Sequence, residues 1–356
     1  MKKLVALVLA LTMLLALAAC SASSSPAKTD SQPTQEAAPA AEPAKEASTE
    51  EAPAAATWTP EKEIRLIICY KAGGQSDLIA RKLASIIESN HFLDTNIVIV
   101  NISDGNTNDG IAALQEADPD GYTLMFHHNA FITLNTTGTI AASYNDVSFV
   151  CETVEQPFLI CAGAQSKFNC AQDIIDAANG GEEVQIGFAG FSSPGHFALL
   201  NFLYQTGIQD KVKQVIYTGG SEAITAQLGG QIDLRSSNTA DAFAYIASGD
   251  IKPVVFMSDV PHASYPDVGT TADLGYTGAL TLRSGLFAPA GTPQEILDAI
   301  SAAVEQACST QEWLDFCQEQ GATPSYATAE AYKAKFDMDQ ETITTLVEVF
   351  ADQFDK

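Results

Sequence analysis

Apolar and polar positions alternate with two different periods through residues 61–356, and that alternation outlines a fold. Ile64–Tyr70 is a β-prone apolar run containing Ile64, Leu66, Ile67 and Ile68. It breaks at Lys71-Ala72-Gly73-Gly74-Gln75-Ser76-Asp77. Beyond the break, Leu78, Ile79, Leu83, Ile86 and Ile87 recur at three- and four-residue spacing, as on one face of a helix. A strand at Asn96–Val100, a helix carrying Ile111, Ala112 and Leu114, the turn Pro119-Asp120-Gly121 and a strand at Tyr122–Phe126 follow. The middle of the chain repeats the theme. Strands are predicted at Phe158–Ala162, Val184–Phe188, Val212–Tyr217 and Ile251–Met257. Helices are predicted at Ala171–Ala178, Phe197–Gln205, around Ile224–Leu228 and at Ala240–Ala247. From Pro293 a run of amphipathic helices ends near Phe354. Strands alternating with helices imply βαβ units and an α/β fold.

The N-terminus follows a different pattern. Met1-Lys2-Lys3 precedes an apolar run from Leu4 to Ala19. Two lysines before a short apolar stretch describe a secretory signal peptide over 1–19. A membrane-spanning helix needs about 20 apolar residues, so this run is short for one. It ends in Leu17-Ala18-Ala19-Cys20, which resembles a lipobox, where bacterial signal peptidases cut before a diacylglyceryl-bearing cysteine. Cys20 is therefore the expected lipidation site. Residues 21–57 are mostly Ala, Ser, Pro, Glu and Thr, with too little bulky apolar surface to offset the entropy of ordering. Residues 20–57 read as a disordered tether that holds the body at the outer face of the cytoplasmic membrane. About 300 residues remain, which at about 150 per domain allows two domains.

Charge and cysteine usage narrow the chemistry. With 44 acidic and 18 basic residues the formal charge is −26, which excludes a nucleic-acid partner, since that needs a basic face. An anionic ligand would approach against this field, so its site must supply local positive potential. Besides Cys20, the cysteines are Cys69, Cys151, Cys161, Cys170, Cys308 and Cys317. No Cys-x-x-Cys pair occurs, which argues against structural zinc. Spacing alone assigns no disulfide, and Cys308 and Cys317 read as lying on one helix. His127 and His128 are adjacent, so on a strand they face opposite sides. Gly190-Phe191-Ser192-Ser193-Pro194 fails the nucleophile-elbow pattern at its last position. No catalytic constellation, metal site or cofactor site is expected, and the chain does not read as an enzyme.

Two turns could hold a ligand. Gly73-Gly74-Gln75-Ser76 ends a strand and opens a helix. Glycines allow close approach to the backbone, and a helix start offers unpaired N–H groups with partial positive charge. The turn is neither a P-loop nor a dinucleotide fingerprint. A plain βα loop capped by Ser76 or Asp77 is the competing reading. Lys71 sits beside the turn, where its ammonium would suit a carboxylate or simply face water. The second turn runs from Phe191 to His196. Ser192 and Ser193 can cap the helix or donate to a ligand, and Pro194 suits the first helical position. His196 falls in the first turn, either as a ligand contact or as a packed histidine.

At these turns the chain resembles the substrate-binding proteins of tripartite tricarboxylate transporters, the Bug or TctC family. The resemblance is carried by Ala72-Gly73-Gly74-Gln75-Ser76-Asp77, Pro119-Asp120-Gly121-Tyr122-Thr123-Leu124 and Tyr144-Asn145-Asp146-Val147-Ser148-Phe149-Val150. It continues through Gly190 to His196, Tyr217-Thr218-Gly219-Gly220, Gly229-Gly230-Gln231-Ile232-Asp233 and Gly285-Leu286-Phe287-Ala288-Pro289-Ala290-Gly291-Thr292-Pro293. Each motif is weak, but the ordered set spans about 61–350. The resemblance implies a two-lobed, periplasmic-binding-protein-like (type II) α/β fold. Each lobe would be a mixed, mostly parallel sheet flanked by helices, with the ligand cleft between lobes. Lobe 1 would comprise 60–160 plus 275–356 and lobe 2 would comprise 161–274, with the two crossovers as a hinge.

In this family the ligand carboxylate is held mainly by backbone N–H groups and small hydroxyls, without an obligatory arginine. That maps to Gly73, Gly74, Gln75 and Ser76 in lobe 1. In lobe 2 it maps to Ser192, Ser193, Gly195, His196, Thr218 and Gly219, with Ser236, Ser237 and Asn238 also expected to line the cleft. Tyr70, Lys71, His128 and Asn129 are further candidates. The run Cys69-Tyr70-Lys71 departs from the family pattern, and Lys71 and Arg235 are unusual polar additions. If they point inward, the ligand carries more than one negative charge. The implied function is capture of a small organic acid and its delivery to membrane permease subunits. The chain would act as a monomer, held to the membrane by the lipid on Cys20. The alternative is a ligand-sensing subunit of a signalling system.

Overall fold

The computed structural model describes residues 58–103 and 105–354. The apolar leader, Cys20 and the 20–57 tether lie outside the described residues. The first elements are β1 (Ile64–Ile68), α1 (Gln75–Ser89), β2 (Ile97–Asn101), α2 (Asn108–Gln115), β3 (Thr123–His128), α3 (Ala130–Thr136) and β4 (Val147–Gln156). Next come β5 (Phe158–Gly163), α4 (Ala171–Asn179), β6 (Val184–Ala189), α5 (Pro194–Thr206), β7 (Val212–Tyr217), α6 (Gly220–Leu228), β8 (Leu234–Asn238), α7 (Thr239–Ala247) and β9 (Ile251–Met257). The chain ends in β10 (Leu282–Pro289), α8 (Gln294–Cys308), α9 (Gln311–Glu319), β11 (Thr323–Thr328), α10 (Ala329–Val349) and α11 (Ala351–Phe354).

Two sheets result. One has the order β11-β4-β10-β3-β1-β2 and the other β7-β6-β8-β5-β9. The chain passes from the first sheet to the second at Pro157, ahead of the expected break after residue 160, and returns between Met257 and Leu282. Both sheets are mixed, but the expectation of mostly parallel pairing needs correction. Only β1–β2, β1–β3, β6–β7 and β6–β8 pair in parallel. The other five ladders are antiparallel. Helical crossovers return a strand parallel to its predecessor. By contrast β5 and β10 enter their sheets by passing between lobes, and both pair antiparallel on each side.

Apolar periodicity positions the helices, and side-chain caps set several of their starts. Ser193 accepts the His196 N–H ahead of α5, whose first residue is Pro194. Asn238 accepts from Asp241 ahead of α7, and Thr310 from Trp313 ahead of α9. The Thr310 cap also corrects one reading. Cys308 ends α8 and Cys317 lies on α9, so they sit on two helices rather than one. All six body cysteines are free.

Helix α10 ties the two lobes together. Near its start, Tyr332 and Phe336 pack with Phe149 of β4 and Phe287 of β10; ring centroids are 4.9 Å apart for Tyr332–Phe336 and 5.1 Å for Phe149–Phe336. Further along, Ile343 and Leu346, followed by Phe350, join the apolar cluster that holds Phe197 and Phe202 of α5. Among the described residues no helix is long and apolar enough to cross a membrane.

Candidate ligand-binding cleft

A cavity of about 720 Å³ opens between the lobes. One wall is Tyr70 and Lys71 after β1, His128 at the end of β3, and the threonines of α3 and its exit, Thr133, Thr136, Thr137 and Thr139. The opposite wall is the turn before α5, Phe191 to Pro194. Phe354, at the C-terminal end of the described chain, completes the lining; its ring lies 5.3 Å from Phe191 and 5.5 Å from Phe197. A smaller cavity of about 200 Å³ adjoins it, and His128, Ser193 and Pro194 line both.

The floor of the large cavity is uncharged. Tyr70 stacks on His128 with ring centroids 4.8 Å apart and an interplanar angle of 13°. Burial pushes the Tyr70 phenol well up and both imidazoles down, His127 to about 4. All three groups are therefore neutral at physiological pH. His127 and His128 do not face apart as expected from strand alternation. Strand β3 ends at His128, and the two ring centroids come within 5.2 Å. Lys71 is exposed and lines the large cavity, so it supplies a cation there.

The glycine turn of lobe 1 takes a different place from the expected one. The Gly73 N–H donates to Asp77 Oδ2 at 2.9 Å, and the Gly74 N–H to the Lys71 carbonyl at 3.1 Å. Asp77 is buried and also accepts from Arg81 Nε and Asn101 Nδ2, each at 2.9 Å. Burial alone would raise its carboxyl, but these donors outweigh it and hold Asp77 at about 2. A carboxylate of the chain itself thus occupies the start of α1. Gly73, Gly74, Gln75 and Ser76 line neither cavity.

In lobe 2 the turn before α5 faces the large cavity. Ser192 and Ser193 line the large cavity, while Ser193 and Gly195 line the small one. The Ser193 hydroxyl accepts from the His196 N–H at 3.2 Å and donates to the Ala189 carbonyl at 3.0 Å. His196 itself is a packed core residue rather than a ligand contact. Its ring stacks on Phe188 at 4.3 Å, its Nδ1 accepts the Ser192 N–H at 3.3 Å, and burial lowers it to about 4. It positions the turn, holding Ser192 at φ 59°, a left-handed conformation that is uncommon outside glycine.

Two other expectations are corrected. Asn129 is buried away from the cleft, donating to the Thr281 carbonyl at 2.8 Å and to Asp339 at 2.9 Å. Thr218 donates both its N–H and its hydroxyl to Glu222, so Thr218 and Gly219 close their own helix start and line neither cavity. Ser236, Ser237 and Asn238, at the end of β8, do line the small cavity, together with Arg235 and Asp241. Sequence reasoning missed the contribution of α3, whose signal was the threonine-rich run from Thr133 to Thr139. It also missed Phe354, for which a terminal amphipathic helix gave no sign.

Comparison with known proteins agrees with this architecture. The model of TctC, the tripartite tricarboxylate transporter family receptor, matches residues 79–347. BugT of Bordetella pertussis is 24% identical over 283 residues, covering 78% of this chain and 86% of that protein. A TctC solute-binding protein from Polaromonas superposes with a TM-score of 0.73 at 24% identity, over 82% of this chain and 99% of that one. A protein of R. palustris solved with adipate gives 0.68 at 20% identity, over 81% and 97%. These structures share the two-lobed fold. The family match runs from the first helix to the last long one and takes in the turn before α5, so the chain belongs to the tripartite tricarboxylate transporter receptors, a family of binding proteins rather than enzymes.

Proposed function

We propose that the chain captures a small organic acid in the cleft between its lobes, outside the cell membrane, and delivers it to permease subunits of a tripartite transporter. The observation that carries this reading is the cavity of about 720 Å³, with threonine hydroxyls on one wall and the start of α5 on the other. A cavity of this size suits a small molecule. The helix start provides local positive potential inside a chain of formal charge −26. Adipate in the R. palustris relative supports a carboxylate as the ligand class. Binding closes the lobes because a ligand that touches both walls has higher affinity for the closed state.

A thermal-shift screen of the full chain against di- and tricarboxylates, aromatic acids and amino acids tests the reading. A ligand at 100 times its dissociation constant stabilises the fold by about 2.7 kcal/mol. The expected result is one saturable class of hit, lost in Ser193→Tyr while circular dichroism stays unchanged. Folded protein that responds to no acid in the panel would contradict it.

The lipid on Cys20 would keep capture close to the permease and raise effective concentration there. Cys20→Ser is expected to release the protein from the membrane fraction. Retention of that variant on washed membranes would rule out lipid anchoring at Cys20.

A further inference from the structure

The lobes also touch behind the strands that join them. Strand β4 runs into β5 at Pro157, with β10 paired beside β4, so this crossing is the hinge axis. On one flank lie the ends of β3 and β8, where His128 pairs with Ser284 and Asn238 with Phe158. His128 and Asn238 both line the small cavity. On the other flank lie the start of β11 and the end of β9, where Thr323 pairs with Glu155 and Met257 with Phe158. The order of both sheets thus sets the cleft and the β11–β9 flank on opposite sides of the crossing.

That far flank holds a contact between lobes. Gly321, in the turn from α9 into β11, lies so close to α7 that a Cβ would sit 3.1 Å from the Phe243 ring and 3.2 Å from the Thr239 methyl carbon. Thr239 is buried, and its hydroxyl donates to the Pro157 carbonyl at 2.7 Å, which fixes the start of α7 to the crossing itself. From the segment after β9, buried His262 stacks on Phe256 with ring centroids 4.8 Å apart. Its Nδ1 accepts the Ser264 N–H at 3.2 Å, which leaves the ring proton on Nε2, 3.5 Å from the Gly321 carbonyl oxygen. Two elements of lobe 2 therefore hold one glycine of lobe 1. Gly321, Phe243 and His262 line neither cavity.

We propose that this contact is a latch that holds the cleft open and so sets the affinity of the chain for its solute. This rests on the lobe closure proposed above. A rotation about the crossing strands that brings His128 towards Asn238 carries Gly321 away from Phe243 and His262, because the two pairs lie on opposite sides of the axis. The contact is made with the cleft open and lost on closure. Its energy counts against the closed state, and hence against binding. Weakening it, away from both cavities, raises affinity.

Two variants break the latch in different ways. Gly321→Asn keeps the left-handed backbone at φ 61°, which asparagine tolerates, and drives a side chain into the contact. Phe243→Ala removes the ring from a half-buried position and carries the test where Gly321→Asn fails to fold. Small-angle X-ray scattering of the full chain without ligand reads the lobe arrangement, and calorimetric titration with adipate reads the affinity. Both variants are expected to have a smaller radius of gyration than wild-type protein. They are also expected to bind adipate about 5-fold more tightly, the lower end of the usual coupling between distant sites. A radius of gyration that is unchanged or larger in the folded variants would overturn the latch and leave solute capture standing, as would unchanged or weaker binding of adipate. Scattering needs no ligand. Contracted variants of a wild-type protein that binds no acid would therefore support the latch and overturn capture.

Discussion

At pH 9, Lys335→Met is expected to lower the unfolding free energy by about 3 kcal/mol, the lower end of the range for breaking a buried ion pair. Lys335, on α10, donates to Glu152 Oε2 and Glu155 Oε1, each at 2.6 Å. Glu152 is 0% exposed on β4, and among the described residues Lys335 is the one cation within 4.0 Å of it. Glu155 keeps Arg283, which also pairs with Asp339. Removing the lysine therefore strands Glu152 alone. The loss comes from an uncompensated buried carboxylate, so Glu152→Gln combined with Lys335→Met should recover most of it. Chemical denaturation of the three variants at pH 9, above the value of about 8 at which Glu152 ionises, checks this; no rescue in the double variant would show that Lys335 acts through packing.

The same network sets a pH dependence. Burial, then the neighbouring charge of Glu155, pushes Glu152 up to about 8 despite Lys335. Burial pushes Glu155 in the same direction, but Arg283 and Lys335 outweigh it and hold Glu155 low. A carboxyl raised in the folded state binds its proton more tightly there than in the unfolded chain. Its stabilising contribution is complete below the unfolded value near ~4.3 and is lost as pH rises through about 8. Glu152→Gln is expected to flatten this fall between about pH 4.3 and about 8, as read from denaturation midpoints across that range.

The second large effect is expected at Gly285. A Cβ there would lie 2.2 Å from the Cys151 carbonyl oxygen, 2.9 Å from the Glu152 Cα and 2.7 Å from the Tyr332 ring. Two of these neighbours are backbone of β4, the strand paired with β10 beside a register shift at Ser284/Gly285. No rotamer change can make room, so the sheet must part. Gly285→Ala is expected to cost at least about 3 kcal/mol, the upper part of the overpacking range, and Gly285→Val to give no folded chain. Gly163→Ala is the control: nothing lies within 4 Å of its Cβ, so its effect should fall within about 0.5 kcal/mol. Equal midpoints for Gly285→Ala and Gly163→Ala would contradict the close approach.

Elements whose burial follows a simple period were legible in the sequence. Ile64–Ile68 and Ile251–Met257 are apolar enough to declare themselves as strands, and α1 shows its buried face at helical spacing. Strand β8 did not, because it buries Arg235, Ser236 and Ser237, polar groups held by Gln227 of α6, by the Gly195 carbonyl and by one another. Strand β11, half-exposed at the edge of its sheet, was read as part of a helical run. The site divides in the same way. Helix-end physics located the turn at Ser192 and Ser193 on the cavity wall. It located the glycine turn equally well but could not show that Asp77 takes the Gly73 N–H. Arg235 was visible as an unusual residue, whereas its orientation depends on Ser237, two residues along the same strand, and on Gln227 of α6, which the turn into β8 brings back to it.

The most direct test of the central claim is a crystal structure of the chain grown with the tightest-binding acid of the thermal-shift panel. The account places that acid between the lobes, beside Ser193. An acid ordered at another surface, with the space between Ser193 and the α3 threonines unoccupied, would contradict it.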